Sequence, residues 1–270
     1  MSDLPLEQQP GTWSAVASEY DAAFAGYTGG YSDELLDLVG IDADEQVLDV
    51  AAGSGAFTLR AARLGACVTA TDFAPGMVEL LRGRLAAAGY DRCDAELMDG
   101  QALEYPDGTF DLTVSMFGVI FFPDMAAGLA GMARVTRSGG RVAVATWDVA
   151  RFRLTDLVRE AIHRALPDLA LPDRAAPWAR IGDAAGLEGA LRDAGLDPVE
   201  VTPVTHRWTW DDPEGFFCDL PAWSPPTLPL FALLDDAQIA AGAAAFADLV
   251  GGAGGAGIDA TALLGVGTKP

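Results

Sequence analysis

The stretch Val47-Leu48-Asp49-Val50-Ala51-Ala52-Gly53-Ser54-Gly55 constrains the fold more than any other. A short apolar run rich in Val and Leu that breaks into small residues and glycines predicts a buried parallel strand, a tight turn and then a helix over about 56–64. Glycines at 53 and 55 permit the turn and leave no Cβ in the way of a ligand, so backbone N–H groups at the helix start can meet a polar group. A second strand, from Cys67 to Thr71, ends on Asp72. That is about 20 residues beyond the turn, where nucleotide-binding α/β folds place a carboxylate for ribose hydroxyls. Turn and carboxylate together point to an adenosine ligand.

A dinucleotide fingerprint would carry a third glycine at position 58, where this chain has Thr58, and this argues against NAD. The stretch instead resembles motif I of the class I S-adenosylmethionine-dependent methyltransferases, a strand ending in Leu-Asp-Val-Gly-x-Gly-x-Gly. Leu48, Asp49, Val50, Gly53 and Gly55 match it, and Ala51 stands where the first glycine is usual. The resemblance implies S-adenosyl-L-methionine as cofactor, its methionine part over Asp49, Ala51, Gly53, Ser54 and Gly55. Asp72 would bind both ribose hydroxyls, and Phe73 and Met77 would sandwich the adenine. The third strand, about 94–98, ends in Asp99-Gly100-Gln101, similar to the family's adenine-reading loop. The run Arg134-Val-Thr-Arg-Ser-Gly-Gly-Arg-Val-Ala-Val144 resembles the family's late motif, without its usual leucine and proline. The likeness is to the small-molecule branch, the type 11 or ubiquinone/menaquinone-biosynthesis-like enzymes.

The implied fold is α/β: a doubly wound, Rossmann-like, seven-stranded and mostly parallel sheet with helices on both faces and a helical cap. One domain over 1–270 is expected, with an N-terminal helical cap over 12–40, a cofactor core over 41–150, and substrate-lid insertions over 151–180 and 211–258. Trp13, Val16, Ala17, Tyr20 and Phe24 fall on one helical face; Gly26 to Gly30 predicts a break, and Ser32 an N-cap for a helix over 33–39. A helix from Pro75 to about Ala88 follows Asp72. The fourth strand, 109–116, brings Ser115, Met116 and Phe117 to the carboxyl edge of the sheet, beside the sulfonium at the switch point between strands one and four. A helix over 125–135 ends at Ser138-Gly139-Gly140 before a fifth strand over 141–146. A helix over about 154–166, a Pro-rich segment over 167–177, a helix over 183–194, a strand over 198–210, an apolar helical stretch over 213–250 and a closing strand over 261–269 complete the order.

Composition narrows the function classes. A net charge of −22 repels nucleic acid and anionic membrane, so neither is an expected partner. Lys269 is the only lysine, which excludes a core Schiff-base or Walker lysine. Cys67, Cys93 and Cys218 are isolated, so no metal site is encoded. No basic apolar leader opens the chain and no apolar stretch is long enough to span a bilayer, so a soluble, cytoplasmic protein is expected. Oligomeric state stays open.

The resemblance implies methyl transfer to a small acceptor, and the aromatic-rich segments suggest a hydrophobic or aromatic one. Candidate catalytic residues are His163, Tyr20 and Tyr31. His206 and Asp148 are further groups able to take a proton or orient an acceptor, and Tyr27 a further pocket residue. A second reading stays open: a methyltransferase fold that holds the cofactor structurally and acts as a non-methylating catalyst or accessory subunit.

Overall fold

Among the described residues of a computed structural model of the protein, seven strands form one sheet, in the order β3-β2-β1-β4-β5-β7-β6. The structure describes residues 4–172, 177–251 and 255–270, with the backbone alone at 177–178. The strands are β1 (Gln46–Val50), β2 (Cys67–Asp72), β3 (Asp94–Leu97), β4 (Phe110–Met116), β5 (Thr136–Trp147), β6 (Val199–Thr209) and β7 (Gly257–Thr268). β1 to β5 pair in parallel; β7 runs antiparallel to both β5 and β6. Val47, Leu48 and Val50 are fully buried, as strands covered on both faces require.

The helices are α1 (Pro10–Ala15), α2 (Ala17–Val39), α3 (Thr58–Arg63), α4 (Pro75–Ala88), α5 (Met125–Val135), α6 (Leu154–Ala165), α7 (Ala184–Asp193), α8 (Pro213–Trp223), α9 (Leu228–Phe231) and α10 (Asp236–Val250). Both insertions meet: α10 packs on α6 and on α8, with Gly242 facing the Phe217 ring. No single described helix is long and apolar enough to cross a membrane. Part of the Pro-rich segment expected over 167–177 lies outside the described residues.

Two expectations are corrected. The break at Gly26 to Gly30 is absent: α2 is one helix of 23 residues, and Ser32, rather than capping, donates its hydroxyl to the Thr28 carbonyl at 3.4 Å. The glycines serve close approach. A Cβ on Gly29 would stand 2.4 Å from the Arg60 guanidinium, and one on Gly30 3.4 Å from the His206 ring, so tertiary packing outweighs local propensity. Second, β5 begins at Thr136, directly after α5. Ser138, Gly139 and Gly140 form an irregularity in the strand, where the register with β4 jumps from Phe110↔Thr136 to Leu112↔Arg141. The carboxyl-terminal residues supply its partners: Gly139 N–H donates to the Lys269 carbonyl and Lys269 N–H to that of Gly140, at 2.7 and 2.9 Å.

An aromatic core joins the far half of the sheet to the cap. Phe152, Trp147 and Phe117 stack in sequence with centroids 4.1 Å apart at each step, and Tyr31 meets Phe117, Trp147 and His206 edge-on. The Tyr31 hydroxyl, fully buried, donates to the Ala260 carbonyl on β7 at 2.8 Å. Tyr31→Phe leaves that carbonyl without its donor and should cost about 1–3 kcal/mol. Denaturant unfolding of the two proteins measures it; an unchanged midpoint would contradict the role.

Candidate functional site

The site is built at the carboxyl edge of β1, β2 and β4. β1 runs out into a turn in which Ala51, Gly53 and Gly55 all have positive φ, at 56°, 56° and 89°. Ala52 N–H donates to Thr71 O at 2.9 Å, extending the β1–β2 pairing by one residue. The glycines have different tasks. A Cβ on Gly53 would meet nothing within 4 Å, whereas one on Gly55 would fall 2.2 Å from a Leu81 methyl of α4. Gly53 therefore keeps the space above the turn open, and Gly55 lets α4 close beneath it. The helix after the turn starts at Thr58, later than expected, and spans six residues.

Two carboxylates sit under and beside this turn. Asp72, 7% exposed, accepts from Gly53 N–H and from Ala74 N–H, both at 2.9 Å. Burial pushes its carboxyl up to about 6 against the backbone N–H groups of Ala74, Gly53 and Phe73, which lower it. Asp49, 1% exposed, accepts from the Thr58 hydroxyl at 2.6 Å through Oδ2, while Oδ1 has no partner among the described residues. Burial, with the Asp72 charge added, holds Asp49 at about 7 despite Thr58. The Ser54 hydroxyl is buried and likewise without a partner.

Above the turn lies α2. Its Tyr20 and Thr28 close a cavity of about 40 Å³ over Asp49, Gly53, Ser54 and Met116. Burial and the Asp72 charge raise the Tyr20 phenol, which stays protonated as a donor. Trp13 and Tyr20 pack on a small cluster of Ala17, Ala74 and Met77, with Phe73 beside it. The two residues expected to clasp adenine thus lie against the N-terminal helices. A cavity of this size holds about one or two waters, less than the volume of a nucleoside.

The site fits the sulfonium cofactor. Asp72 uses two of about four acceptor positions, leaving the others for vicinal hydroxyls; Asp49 Oδ1 and the Ser54 hydroxyl are orphaned polar atoms where a charged amino-acid moiety would compensate them. Phe73 and Met77 do not line the cavity; they pack with Trp13, Ala17 and Tyr20 beside it. Asp99 is exposed, at the end of β3 next to Asp72, and accepts from Gln101 N–H at 2.9 Å. The Gln101 side chain ties this loop to α5 by accepting from Asp124 N–H at 2.7 Å. Gly100 is required by packing, since a Cβ there would meet the Phe122 ring at 2.4 Å.

Several expected residues are placed elsewhere. Phe117, expected beside the sulfonium, has φ of 60° and turns its ring into the core against Trp147. Ser115 is buried beneath, its hydroxyl without a partner; only Met116 of that trio lines the cavity. Tyr31 is occupied by Ala260. His163 is exposed on the last turn of α6. His206 stands 3.9 Å from Glu34 and edge-on to Tyr31. Asp148 accepts from Ala150 N–H, Arg151 N–H and the Arg151 side chain, so it closes the turn after β5 instead of facing an acceptor. The Tyr27 hydroxyl donates to Thr209 O at 3.3 Å. Thr58, Thr28 and Arg84 were not anticipated; Arg84 carried a signal, lying at helical spacing from Met77 and Leu81 on one face of α4.

Ala51 in place of the usual glycine has a counterpart. A Cβ on Gly118 would stand 2.4 Å from the Ala51 Cβ and 2.9 Å from the Ser115 hydroxyl. The methyl that Ala51 adds occupies the space that Gly118 leaves. Gly118→Ala should destabilise by about 1–3 kcal/mol, and Ala51→Gly in the same chain should recover part of it while relieving left-handed backbone. A double-mutant cycle by chemical denaturation reads this; strictly additive effects would show that the two positions are not coupled.

The family described as "Methyltransferase domain" matches residues 47–140. An uncharacterised protein of Mycobacterium tuberculosis is 36% identical over 155 residues, 57% of this chain and 56% of the relative, so the chain spans about half the length of such curated relatives. A demethylmenaquinone methyltransferase of Mycobacterium sp. is 32% identical over 225 residues, 76% of this chain and 94% of the relative. A phosphoethanolamine N-methyltransferase 2 of Haemonchus contortus, solved with S-adenosyl-L-methionine, shares the fold with a TM-score of 0.57 at 15% identity, over 89% of this chain and 52% of that one. With its cofactor turn, its Asp72 and these relatives, the chain belongs to the class I S-adenosylmethionine-dependent methyltransferases.

Proposed function

We propose that this chain transfers the methyl group of S-adenosylmethionine to a small hydrophobic or aromatic acceptor. The observation that carries the reading is a row of rings leading away from the cofactor turn. Trp13 meets Tyr20, and Tyr20 meets Phe24, with centroids 5.6 Å apart in each pair; Phe24 stacks on Trp223 of α8 at 5.2 Å and 20°. Such a wall favours flat apolar ligands. The relative named as a demethylmenaquinone methyltransferase supports the same direction.

The bound cofactor supplies an activated methyl on a sulfonium centre. The residues of the chain hold and orient it: Asp72 at the ribose, Asp49 and Ser54 at the amino-acid moiety, Phe73 and Met77 at the adenine. Tyr20, kept protonated, can donate a hydrogen bond to the acceptor but cannot take its proton. Among the described residues lining the cavity there is no histidine, lysine or cysteine. With Asp49, the carboxyl in that lining, committed to Thr58 and to the amino-acid moiety, the contribution of the protein is alignment and exclusion of water.

Titration calorimetry with S-adenosylmethionine, S-adenosylhomocysteine and NAD tests the cofactor. The two S-adenosyl ligands should bind and NAD should not, and Asp72→Ala should weaken binding about 10- to 100-fold, as loss of a charged hydrogen-bonding partner does. A screen of aromatic, quinol-like and small polar amine acceptors with labelled cofactor tests the acceptor; turnover confined to the polar amines would overturn the proposed class, and binding without turnover on any acceptor would favour the non-methylating reading.

The raised carboxyls give a pH dependence. Ionising Asp49 in the folded, ligand-free protein is unfavourable, so its contribution to stability is full at low pH and is lost as pH rises through about 7. A cationic amino group favours the ionised form, so cofactor affinity should rise between about pH 5.5 and 7.5, by up to about tenfold per unit below 7. Asp49→Asn should flatten that profile. A slope unchanged in the variant would remove Asp49 from the binding site.

A further inference from the structure

Two arginines span the gap between the cofactor turn and the helix above it in the same way. Arg84, on α4, donates through Nη1 to the Ser54 carbonyl at 2.9 Å and to the Asp21 carboxylate on α2. Arg60, on α3, donates through Nη1 to the Ala56 carbonyl at 2.8 Å and through Nε to Asp33 on α2 at 2.9 Å. Each guanidinium thus holds one carbonyl of the turn and one carboxylate of the cap helix. Asp21 and Asp33 lie 12 residues apart in sequence, about 18 Å along the helix; Phe24 and Thr28 lie between them, and Tyr20 adjoins Asp21. Ser14 adds a third tie by accepting from Gly76 N–H at 3.1 Å, where α1 crosses α4 too closely for any side chain at Gly76.

We propose that Arg60 and Arg84 are positioning residues that make the acceptor wall on α2 follow the state of the cofactor turn. A ligand that orders Gly53 to Ala56 fixes the two carbonyls, these fix the guanidinium groups, and the fixed fork of each guanidinium sets Asp21 and Asp33 and hence the rings between them. The carboxylates and guanidiniums are partly exposed, from 26% to 54%, and such pairs add little to overall stability. Their role is geometric, and it rests on the reading of the turn as the cofactor seat.

The test is amide hydrogen exchange over 17–30, with and without saturating S-adenosylhomocysteine, on the wild type and on the Asp21→Asn/Asp33→Asn double variant, alongside calorimetric affinity and melting temperature. In the wild type the ligand should slow exchange over 17–30 about tenfold. The double variant should bind the ligand within about threefold of wild type and melt within a few degrees of it, yet lose most of that slowing; Asp21→Glu/Asp33→Glu, which keeps both charges, should restore it. Equal slowing in the double variant would overturn the proposal. So would a variant whose melting temperature and ligand affinity fall together, since the carboxylates would then hold the fold instead of relaying occupancy. Failure of the wild type itself to bind S-adenosylhomocysteine would strike the cofactor reading instead.

Discussion

The carboxylate of Asp72 is the constraint on which the cofactor end of the molecule depends. It takes one N–H from the turn after β1 and one from the start of α4, so two elements that follow different strands are held to a single buried charge. A carboxylate removed from water is costly unless its lone pairs are used, and two bonds do not offset the burial: its ionisation remains unfavourable relative to water. Asp49, one strand away and more deeply buried, shares the deficit, and the Asp72 charge adds to its own. The cleft is therefore anionic and incompletely satisfied, which selects for a ligand that brings hydroxyl donors and a positive charge together. S-adenosylmethionine does both.

Backbone strain gathers at the same edge. Ala51, after β1, and Phe117, after β4, are both non-glycine residues in left-handed conformation, an arrangement that costs about 1–3 kcal/mol for each unless neighbours enforce it. The enforcement is visible. Phe117 N–H continues the β4–β5 pairing by donating to Ala145 O at 3.1 Å, its ring is clamped between Tyr31 and Trp147, and Gly118 yields space to the Ala51 methyl. The core thus holds open the crevice between β1 and β4, where open α/β sheets receive their ligands.

What could be read from the residues divides along the same line. The turn at Ala51 to Gly55, the acidic end of β2 at Asp72 and the Pro-initiated α4 are local patterns, and each lies where its spacing predicted. Phe117 was misplaced because the left-handed turn after β4 flips its side chain, and nothing in Met116-Phe117-Gly118 declares that. Gly29 and Gly30 read as a break because single residues do not reveal that Arg60 and His206 will cross the helix there. Tyr31 and the two arginine bridges depend on partners far away in sequence, 229 residues for Tyr31 and Ala260, 63 for Arg84 and Asp21 and 27 for Arg60 and Asp33, and no periodicity encodes such pairs.

The two halves of the site are consequently built under different rules. The cofactor half uses residues within about 50 positions of one another, close to backbone whose course the sheet dictates, and so keeps a recognisable wording. The proposed acceptor wall takes Tyr20 and Phe24 from the first helices and Trp223 from an insertion some 200 residues later, joined by ring packing, which tolerates exchange of one apolar residue for another. Such a wall can be repacked by exchange of apolar residues without touching the cofactor turn. In the proposed arrangement, the arginine bridges from the turn to α2 hold the two halves in register.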